Sequence, residues 1–376
     1  MKCKYTGALS DYSGYGEAAR HDVAALVAAG VTVTTEIPHY TIEISDYGPL
    51  GAIARERENL PIGYQIKIIH TTPNVIRQYL EPGKYHVGRV FWETNKLPLE
   101  FATGAQMLDE IWTGSQYNAN AIKAAGVTRP IYIIPEAIDT SIEDLKPYLT
   151  PNEKDYKFYS IFEWTERKNP NTLLEAYWRE FEGVPGVSLT LKTYVDNFQP
   201  GKKTEIDRYM KKLQKRLRLK SYAPVYLYRQ LMDRRQIYRF HKTFDCYVSP
   251  HRGEGWGIPQ MEALLMGNCI ISTNCGGIHE YLTHKQNAYL LPYKLAPVNN
   301  TRNSNWYTPD QKWADVSVAD MRAAMRWVFD NQLQAQAMGT AGKQLVMDTF
   351  ALPVVGKQML DRLTVIRKEL EPKANQ

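Results

Sequence analysis

The sequence lacks a long apolar run: no stretch of about 18 consecutive apolar residues, the length of a membrane-spanning helix, occurs among its 376 residues. Cysteine is scarce, and no two cysteines stand in the CxxC spacing of common zinc sites, so structural zinc and a disulfide framework are disfavoured. We expect no secretory signal at the start of the chain. We expect a cytoplasmic protein, and peripheral contact with a membrane surface stays open. The cysteines are Cys3, Cys246, Cys269 and Cys275.

Neither sign of charge is in strong excess, since 46 Lys and Arg residues face 40 Asp and Glu residues and leave a formal charge of +6. This mild positive charge favours an anionic ligand without requiring nucleic acid. Hydrophobic residues make up 44% of the chain, which excludes a largely disordered protein. A length of 376 residues exceeds that of a typical single domain, so we expect two domains.

Short apolar strands alternate with helical patterns along both halves of the chain. That order predicts an α/β protein with parallel sheets, whose ligands gather where the strands end. The polar, proline-containing segment 140–155 predicts a linker. We therefore expect an N-terminal domain over 1–150 and a C-terminal domain over 151–352, with a last helix over about 353–376 that packs back on the first domain.

The most informative stretch is 247–280, where a strand leads through a glycine-rich turn into a helical pattern. Glycines let a ligand approach the backbone, and the N–H groups at a helix start bind anions such as phosphate. Carboxylates beside them can accept hydrogen bonds from sugar hydroxyls. The structural alternative is a helix cap at Glu254 and a solvated Glu262. The candidate ligand-binding residues of this stretch are Glu254, Gly255, Trp256, Gly257 and Glu262.

A second glycine pattern lies near the N-terminus, where a polar loop over 10–16 precedes a predicted helix. Gly14, Gly16 and Ala19 match G-x-G-x-x-A, and Glu36 ends the next predicted strand, where dinucleotide-binding folds place a ribose-binding acid. An NAD-dependent oxidoreductase is therefore an alternative. The same glycines would serve any phosphate or sugar that approaches a helix N-terminus.

His70 ends an apolar strand, IKIIH. A histidine at such a place is either packed and satisfied by neighbouring groups, or it faces a ligand at the strand ends. Both interpretations stay open from the residues alone.

Residues 202–220 carry nine Lys or Arg residues and two acids, a net charge of 9 − 2 = +7. Met210, Leu213 and Leu217 recur at helical spacing, which predicts an amphipathic helix with a solvated basic face. The alternative is a docking surface for a polyanion such as DNA.

The stretch 251–282, HRGEGWGIPQMEALLMGNCIISTNCGGIHEYL, resembles the donor-binding signature of retaining glycosyltransferases of the GT-B fold, in particular the large family four (glycosyl transferases group 1). That family carries two glutamates separated by seven residues, the relation of Glu254 to Glu262. The charged turn 165–170, TERKNP, is similar to the phosphate-clamping turn of the family. Looser matches at 14–20, 91–98, 109–115 and 135–139 extend the resemblance over nearly the whole chain.

The resemblance implies a GT-B architecture, in which two Rossmann-like parallel-sheet domains face each other across a cleft. It implies that Glu254 accepts hydrogen bonds from the donor sugar, that Glu262 binds the nucleotide ribose, and that Arg167 and Lys168 bind the diphosphate. Many members have an arginine five residues before the clamping lysine, where this chain has Glu163, so the division of labour between Arg167 and Lys168 is open.

In the N-terminal half, the resemblance implies that the backbone at Gly14 and Gly16 meets the phosphates and that His70 lies near the transferred sugar. The loops 38–51 and 92–98 would contact the acceptor. Trp92 and Trp256 can stack on a sugar or pack inside the protein, and packing is the favoured interpretation.

The implied activity is the transfer of a hexose-type sugar, with retention, from a UDP- or GDP-sugar to a hydroxyl on a glycan, a lipid-linked molecule or a small molecule. The nucleotide sugar is a co-substrate, and we expect no cofactor and no metal site. Two cations and helix-terminal amides can stabilise the leaving diphosphate, and the sequence has no Asp-x-Asp pair. The alternatives are a transferase of this fold that glycosylates a nucleic-acid base or another polyanion, and the NAD-dependent oxidoreductase.

Overall fold

The computed structural model describes residues 1–38, 48–141, 145–150, 153–195, 203–298 and 306–371. The chain divides into two compact units, a first unit of Met1–Ile142 with Met347–Gln376 and a second unit of Glu143–Val346. Each unit has its own hydrophobic core and its own six-stranded sheet. The α/β class with parallel sheets, predicted from the alternating pattern, is confirmed.

The first unit is a parallel sheet with helices between its strands. Its strands are β1 (Lys2–Gly7), β2 (Thr32–Glu36), β3 (Ile66–His70), β4 (Tyr85–Arg89), β5 (Glu110–Thr113) and β6 (Ile131–Ile133). Its helices are α1 (Gly14–Ala28), α2 (Gly48–Arg55), α3 (Leu99–Ala105) and α4 (Gln116–Ala124). The strand order is β2-β1-β3-β4-β5-β6.

The second unit repeats the alternation and adds an antiparallel pair of strands. Its strands are β7 (Tyr156–Glu163), β8 (Val187–Tyr194), β9 (Val225–Tyr228), β10 (Cys246–Ser249), β11 (Cys269–Thr273), β12 (Tyr289–Leu291), β13 (Lys294–Pro297) and β14 (Lys312–Asp315). Its helices are α5 (Pro170–Glu180), α6 (Lys203–Leu217), α7 (Arg234–Thr243), α8 (Ile258–Leu265), α9 (Val318–Asp330) and α10 (Gln332–Thr349). The order of the six-stranded parallel sheet is β12-β11-β10-β7-β8-β9.

A last helix, α11 (Leu352–Leu370), packs on α1 in the first unit. Its apolar residues recur at helical spacing and enter the core of that unit. The chain is anchored just before the helix, because the Ile138 N–H donates to the Phe350 carbonyl at 2.8 Å. Close contact needs a glycine: a Cβ on Gly356 would lie 2.0 Å from the Ala25 carbonyl oxygen.

The boundaries differ from the predicted ones most clearly at the N-terminal glycine pattern. The predicted loop over 10–16 is shorter, because α1 begins at Gly14 and its first turn includes both Gly14 and Gly16. The loop folds back closely on this turn, and a Cβ on Gly16 would lie 2.1 Å from the Asp11 carbonyl oxygen. Packing of the loop on α1 therefore requires glycine at position 16. Of the predicted loop 38–51, residues 39–47 lie outside the described residues, and Gly48 begins α2.

The basic helix α6 is amphipathic, as predicted. Ile206, Leu213 and Leu217 are buried, whereas Lys211 and Lys212 are exposed. All four cysteines are buried and free, so no disulfide joins them. In the described part of the chain, no helix has the length and apolarity needed to cross a membrane.

We expect Gly356→Ala to lower the free energy of unfolding of the first unit by about 1–3 kcal/mol, because the new methyl forces α11 away from α1. Gly63→Ala is the matched control, since a Cβ there has no atom within 4 Å among the described residues. Chemical denaturation of both variants measures the difference. Equal stability of the two variants would contradict the packing of α11 on α1.

Candidate active site

Three neighbouring strands of the second unit end at the same edge of its sheet and continue into polar turns. These are β7, β10 and β11, which pair in parallel in the order β11-β10-β7. The turn after β7 contains Arg167 and Lys168, and the turn after β10 contains Glu254. The topology alone therefore brings together charged residues that are far apart in the sequence.

Glu254 lies between the two cations of the charged turn. One carboxylate oxygen, Oε1, accepts from Lys168 Nζ, and the other, Oε2, lies 3.3 Å from Arg167 Nη1. Arg167 also donates to the Gly253 carbonyl at 2.9 Å, which ties the two turns together through a second contact. Glu254 is only 6% exposed, so this is a largely buried ion pair.

The pKa of Glu254 is low although the carboxyl group is buried. Burial alone would raise this pKa, but the charges of Lys168 and Arg167 outweigh burial and lower it to about 2. Glu254 is therefore ionised at neutral pH. An ionised carboxylate can accept hydrogen bonds from hydroxyls, and it is a poor base at this pKa.

The backbone beside Glu254 is held by glycines of the next turn. The Gly277 N–H donates to the Glu254 carbonyl at 3.0 Å, and a Cβ on Gly276 would lie 2.4 Å from the same oxygen. Gly257 precedes α8 with a φ of +94°, a conformation that favours glycine. The close fit of the two turns therefore depends on glycine at these positions.

Trp256 is used for packing. Its indole N–H donates to the Met261 sulfur at 3.0 Å, and its ring lies 5.2 Å from the Tyr281 ring. Trp92 is also buried, with its indole N–H donating to Thr94 Oγ1 at 2.6 Å. Both tryptophans are buried and have a partner for the indole N–H, which agrees with the packing interpretation.

Glu262, in α8, has partners that were not predicted from the sequence. Its Oε1 accepts from Arg234, and its Oε2 lies 3.2 Å from His241 Nε2. The other ring nitrogen of His241 lies 2.7 Å from the Tyr159 hydroxyl. The available signal was the seven-residue spacing of Arg234 and His241, which places both on one face of α7. A ribose whose hydroxyls donate to Glu262 would share the carboxylate oxygens of Glu262 with Arg234.

His70 lies in the first unit at the end of β3 and is 1% exposed. Its Nδ1 lies 2.7 Å from the Tyr5 hydroxyl, and its ring lies 5.3 Å from the Tyr15 ring. Asp22 and Arg89 complete a buried cluster that was also missed. Two signals for this cluster were available in the sequence: Arg89 in the apolar strand YHVGRVF, and Asp22 in the alanine-rich α1. A charged residue in a buried element requires a partner of opposite charge.

The dinucleotide alternative depends on Glu36 as a ribose-binding acid. In the structure, Glu36 lies 2.8 Å from Lys67 Nζ and 3.4 Å from Lys4 Nζ, and it accepts from Thr6 Oγ1 at 2.6 Å. These contacts give the carboxylate a structural role between neighbouring strands and weaken the oxidoreductase interpretation. Among the described residues, no group of three or more His, Cys, Asp or Glu side chains could bind a metal ion.

Residues 141–297 match the family model of glycosyl transferases group 1. The segment includes Arg167, Lys168, Glu254 and Glu262. The mouse alpha-1,3/1,6-mannosyltransferase ALG2 is 25% identical over 278 residues, which cover 70% of this chain and 60% of the mouse protein. The match thus spans under two thirds of that relative's length.

Two solved structures share the fold over nearly the whole chain. Anabaena HepE, solved in complex with UDP-glucose, is 13% identical with a TM-score of 0.66, and the match covers 97% of this chain and 100% of that one. Sucrose-phosphate synthase from Thermosynechococcus elongatus is 14% identical with a TM-score of 0.70, covering 98% and 100%. The resemblance to GT-B glycosyltransferases, inferred from sequence motifs, is confirmed.

We expect the stability contributed by Glu254 to depend on pH. Its pKa of about 2 lies below the ordinary 4.5, so the contribution is fully present above about pH 4.5 and is lost as the pH falls toward 2. Glu254→Gln removes the carboxylate charge, so the variant should be less stable than the parent near pH 7, and the gap should narrow by about pH 3.5. Urea titrations of both proteins at the two pH values measure this difference in the free energy of unfolding. A gap of constant size would argue against an ionised, charge-stabilised Glu254.

Proposed function

We propose that this chain, whose residues 141–297 match glycosyl transferases group 1, moves a hexose-type sugar from a UDP- or GDP-sugar to a hydroxyl acceptor, with retention and without a metal ion. The observation that carries the proposal is the position of Lys168 and Arg167 beside Glu254, at the sheet edge where parallel strands end. Two cations next to a hydroxyl-binding carboxylate suit a ligand that joins a diphosphate to a sugar.

The cations would act on the leaving group. When the bond between the sugar carbon and the diphosphate breaks, negative charge develops on the diphosphate oxygens. Lys168 and Arg167 have side chains 15% and 20% exposed, so they stay accessible while their surroundings are partly desolvated. Fixed charges in such a place stabilise a developing anion more strongly than water-exposed ones do. The glycine-rich backbone before α8 adds N–H donors for the same anion.

Glu254 would orient the sugar rather than transfer a proton, because its pKa of about 2 makes it a poor base. In a retaining transfer, the acceptor oxygen forms its bond to the sugar carbon on the face that the diphosphate leaves. The acceptor proton then passes to an oxygen of the departing β-phosphate. This route balances without a protein base.

Glu262 and Arg234 would bind the nucleoside part of the donor. The carboxylate of Glu262 can accept from ribose hydroxyls, and Arg234 fixes its orientation. The named relatives point to different sugars, since the mouse protein is a mannosyltransferase and HepE was solved with UDP-glucose. Both UDP- and GDP-linked hexoses therefore belong in a donor screen, with a glycan, lipid-linked or small-molecule hydroxyl as acceptor.

Contact with DNA or another polyanion through the basic stretch 202–220 receives no support from the named relatives or structures. The exposed lysines of α6 form the solvated face of an amphipathic helix whose apolar face enters the core. We do not propose a nucleic-acid function for this surface.

We expect Lys168→Ala to slow donor turnover by about 100-fold or more, because one of two charges on the leaving group is lost. The measurement is release of nucleoside diphosphate from UDP-glucose, UDP-N-acetylglucosamine and GDP-mannose without an acceptor. Lys343→Ala, at an exposed lysine of α10, is the matched control and should keep the parent rate. Parental turnover in Lys168→Ala, with a folded protein, would overturn the assignment of the cation.

A further inference from the structure

Three buried side chains of the first unit, Tyr5, Asp22 and His70, form a continuous line of contacts. The Tyr5 hydroxyl lies 2.9 Å from Asp22 Oδ2 and 2.7 Å from His70 Nδ1. All three residues are at most 1% exposed. Tyr5 and His70 lie on the adjacent strands β1 and β3, and Asp22 lies on α1. Three separate elements thus converge on one hydroxyl group.

Arg89 pairs with Asp22, the residue at the far end of this line of contacts. Its Nε donates to Asp22 Oδ2 at 2.8 Å and its Nη2 donates to Asp22 Oδ1 at 3.0 Å. The same guanidinium donates to the carbonyls of Ile134 and Pro135 at 2.5 and 3.0 Å. In this bidentate pair both oxygens of the Asp22 carboxylate accept from the guanidinium, which fixes the orientation of the carboxylate. Asp22 therefore acts as a hydrogen-bond acceptor only.

The direction of the hydrogen bonds follows from counting protons. Tyr5 has one hydroxyl proton and two close neighbours. If it donated to His70, the tyrosine and Asp22 oxygens would face each other at 2.9 Å with no proton between them. If it donates to Asp22, His70 can donate from Nδ1 to the tyrosine oxygen, and both short contacts become hydrogen bonds. The charged acceptor also makes the stronger bond.

We propose that Tyr5 and Asp22 are positioning residues that keep His70 protonated at Nδ1, so that Nε2 presents a lone pair to a hydroxyl group of the substrate. The first part stands on the contacts alone. The second part rests on the proposed transferase function and on the family resemblance, which implies that His70 lies near the transferred sugar.

The electrostatics agree with a neutral ring. Burial lowers the pKa of His70; Asp22 raises it and Arg89 lowers it again, which leaves a value of about 4. Burial also favours the neutral form of Tyr5, because it raises the pKa of the hydroxyl, which keeps its proton at neutral pH. A neutral ring with an unprotonated Nε2 accepts a hydrogen bond. It fits an uncharged O–H donor and gives no proton to a phosphate oxygen.

The tautomer can be read directly from two-bond ¹H–¹⁵N correlations of the imidazole ring near pH 7, with His70→Gln identifying the signals. We expect a protonated Nδ1 and an unprotonated Nε2 in the parent protein. Tyr5→Phe should remove this preference, because the ring loses the oxygen that accepts from Nδ1. Tyr85→Phe is the matched control: it removes a tyrosine hydroxyl that donates to Glu110 in the same unit, and it should leave the His70 signals unchanged.

A parent ring protonated at Nε2, or a parental tautomer in Tyr5→Phe, would overturn the positioning role. The tautomer measurement needs no substrate, so its result is independent of the proposed function. On a donor that the protein turns over, Tyr5→Phe should lower kcat by about tenfold, the effect of one hydrogen bond, and leave UDP or GDP affinity unchanged. A shifted tautomer with unchanged kcat would overturn the link to the substrate hydroxyl.

Discussion

The arrangement of the second unit depends on one buried carboxylate and the two cations beside it. Taking Glu254 out of water is costly, and the cost is offset only because Lys168 and Arg167 lie within contact distance. That requirement fixes the turn after β7 against the turn after β10. In the proposed function, a diphosphate would use the same charges that stabilise Glu254, so fold stability and the proposed anion binding would share residues in this unit.

Much of this arrangement could be predicted from the sequence because its signals are local. Apolar runs that alternate with helical periodicity predicted the α/β class with parallel sheets, since each pattern reflects burial of one element. Glu254 and the charged turn were identified by their neighbours in the chain. Parallel topology then brings the strand ends together without further information.

The ion pairs were harder to predict because their partners are distant in sequence and are selected by packing. Arg234 meets Glu262, and Asp22 meets Arg89, only through the tertiary fold. The glycines at 14 and 16 lie in the first turn of α1 and not in a loop over 10–16, so only the boundary of the predicted loop is corrected, and their contact with a phosphate stays a prediction. Each unit also has a tyrosine on its first strand that contacts a buried histidine, Tyr5 with His70 and Tyr159 with His241.

The most direct test of the central claim is calorimetric titration of the protein with UDP, GDP and NADH, beside the Lys168→Ala variant. We expect saturable binding of UDP or GDP that Lys168→Ala weakens at least about tenfold, because a charge-assisted contact with the diphosphate is lost. We expect no saturable binding of NADH. Saturable binding of NADH alone, or nucleotide affinity that is indifferent to Lys168, would contradict a diphosphate site at the ends of β7 and β10.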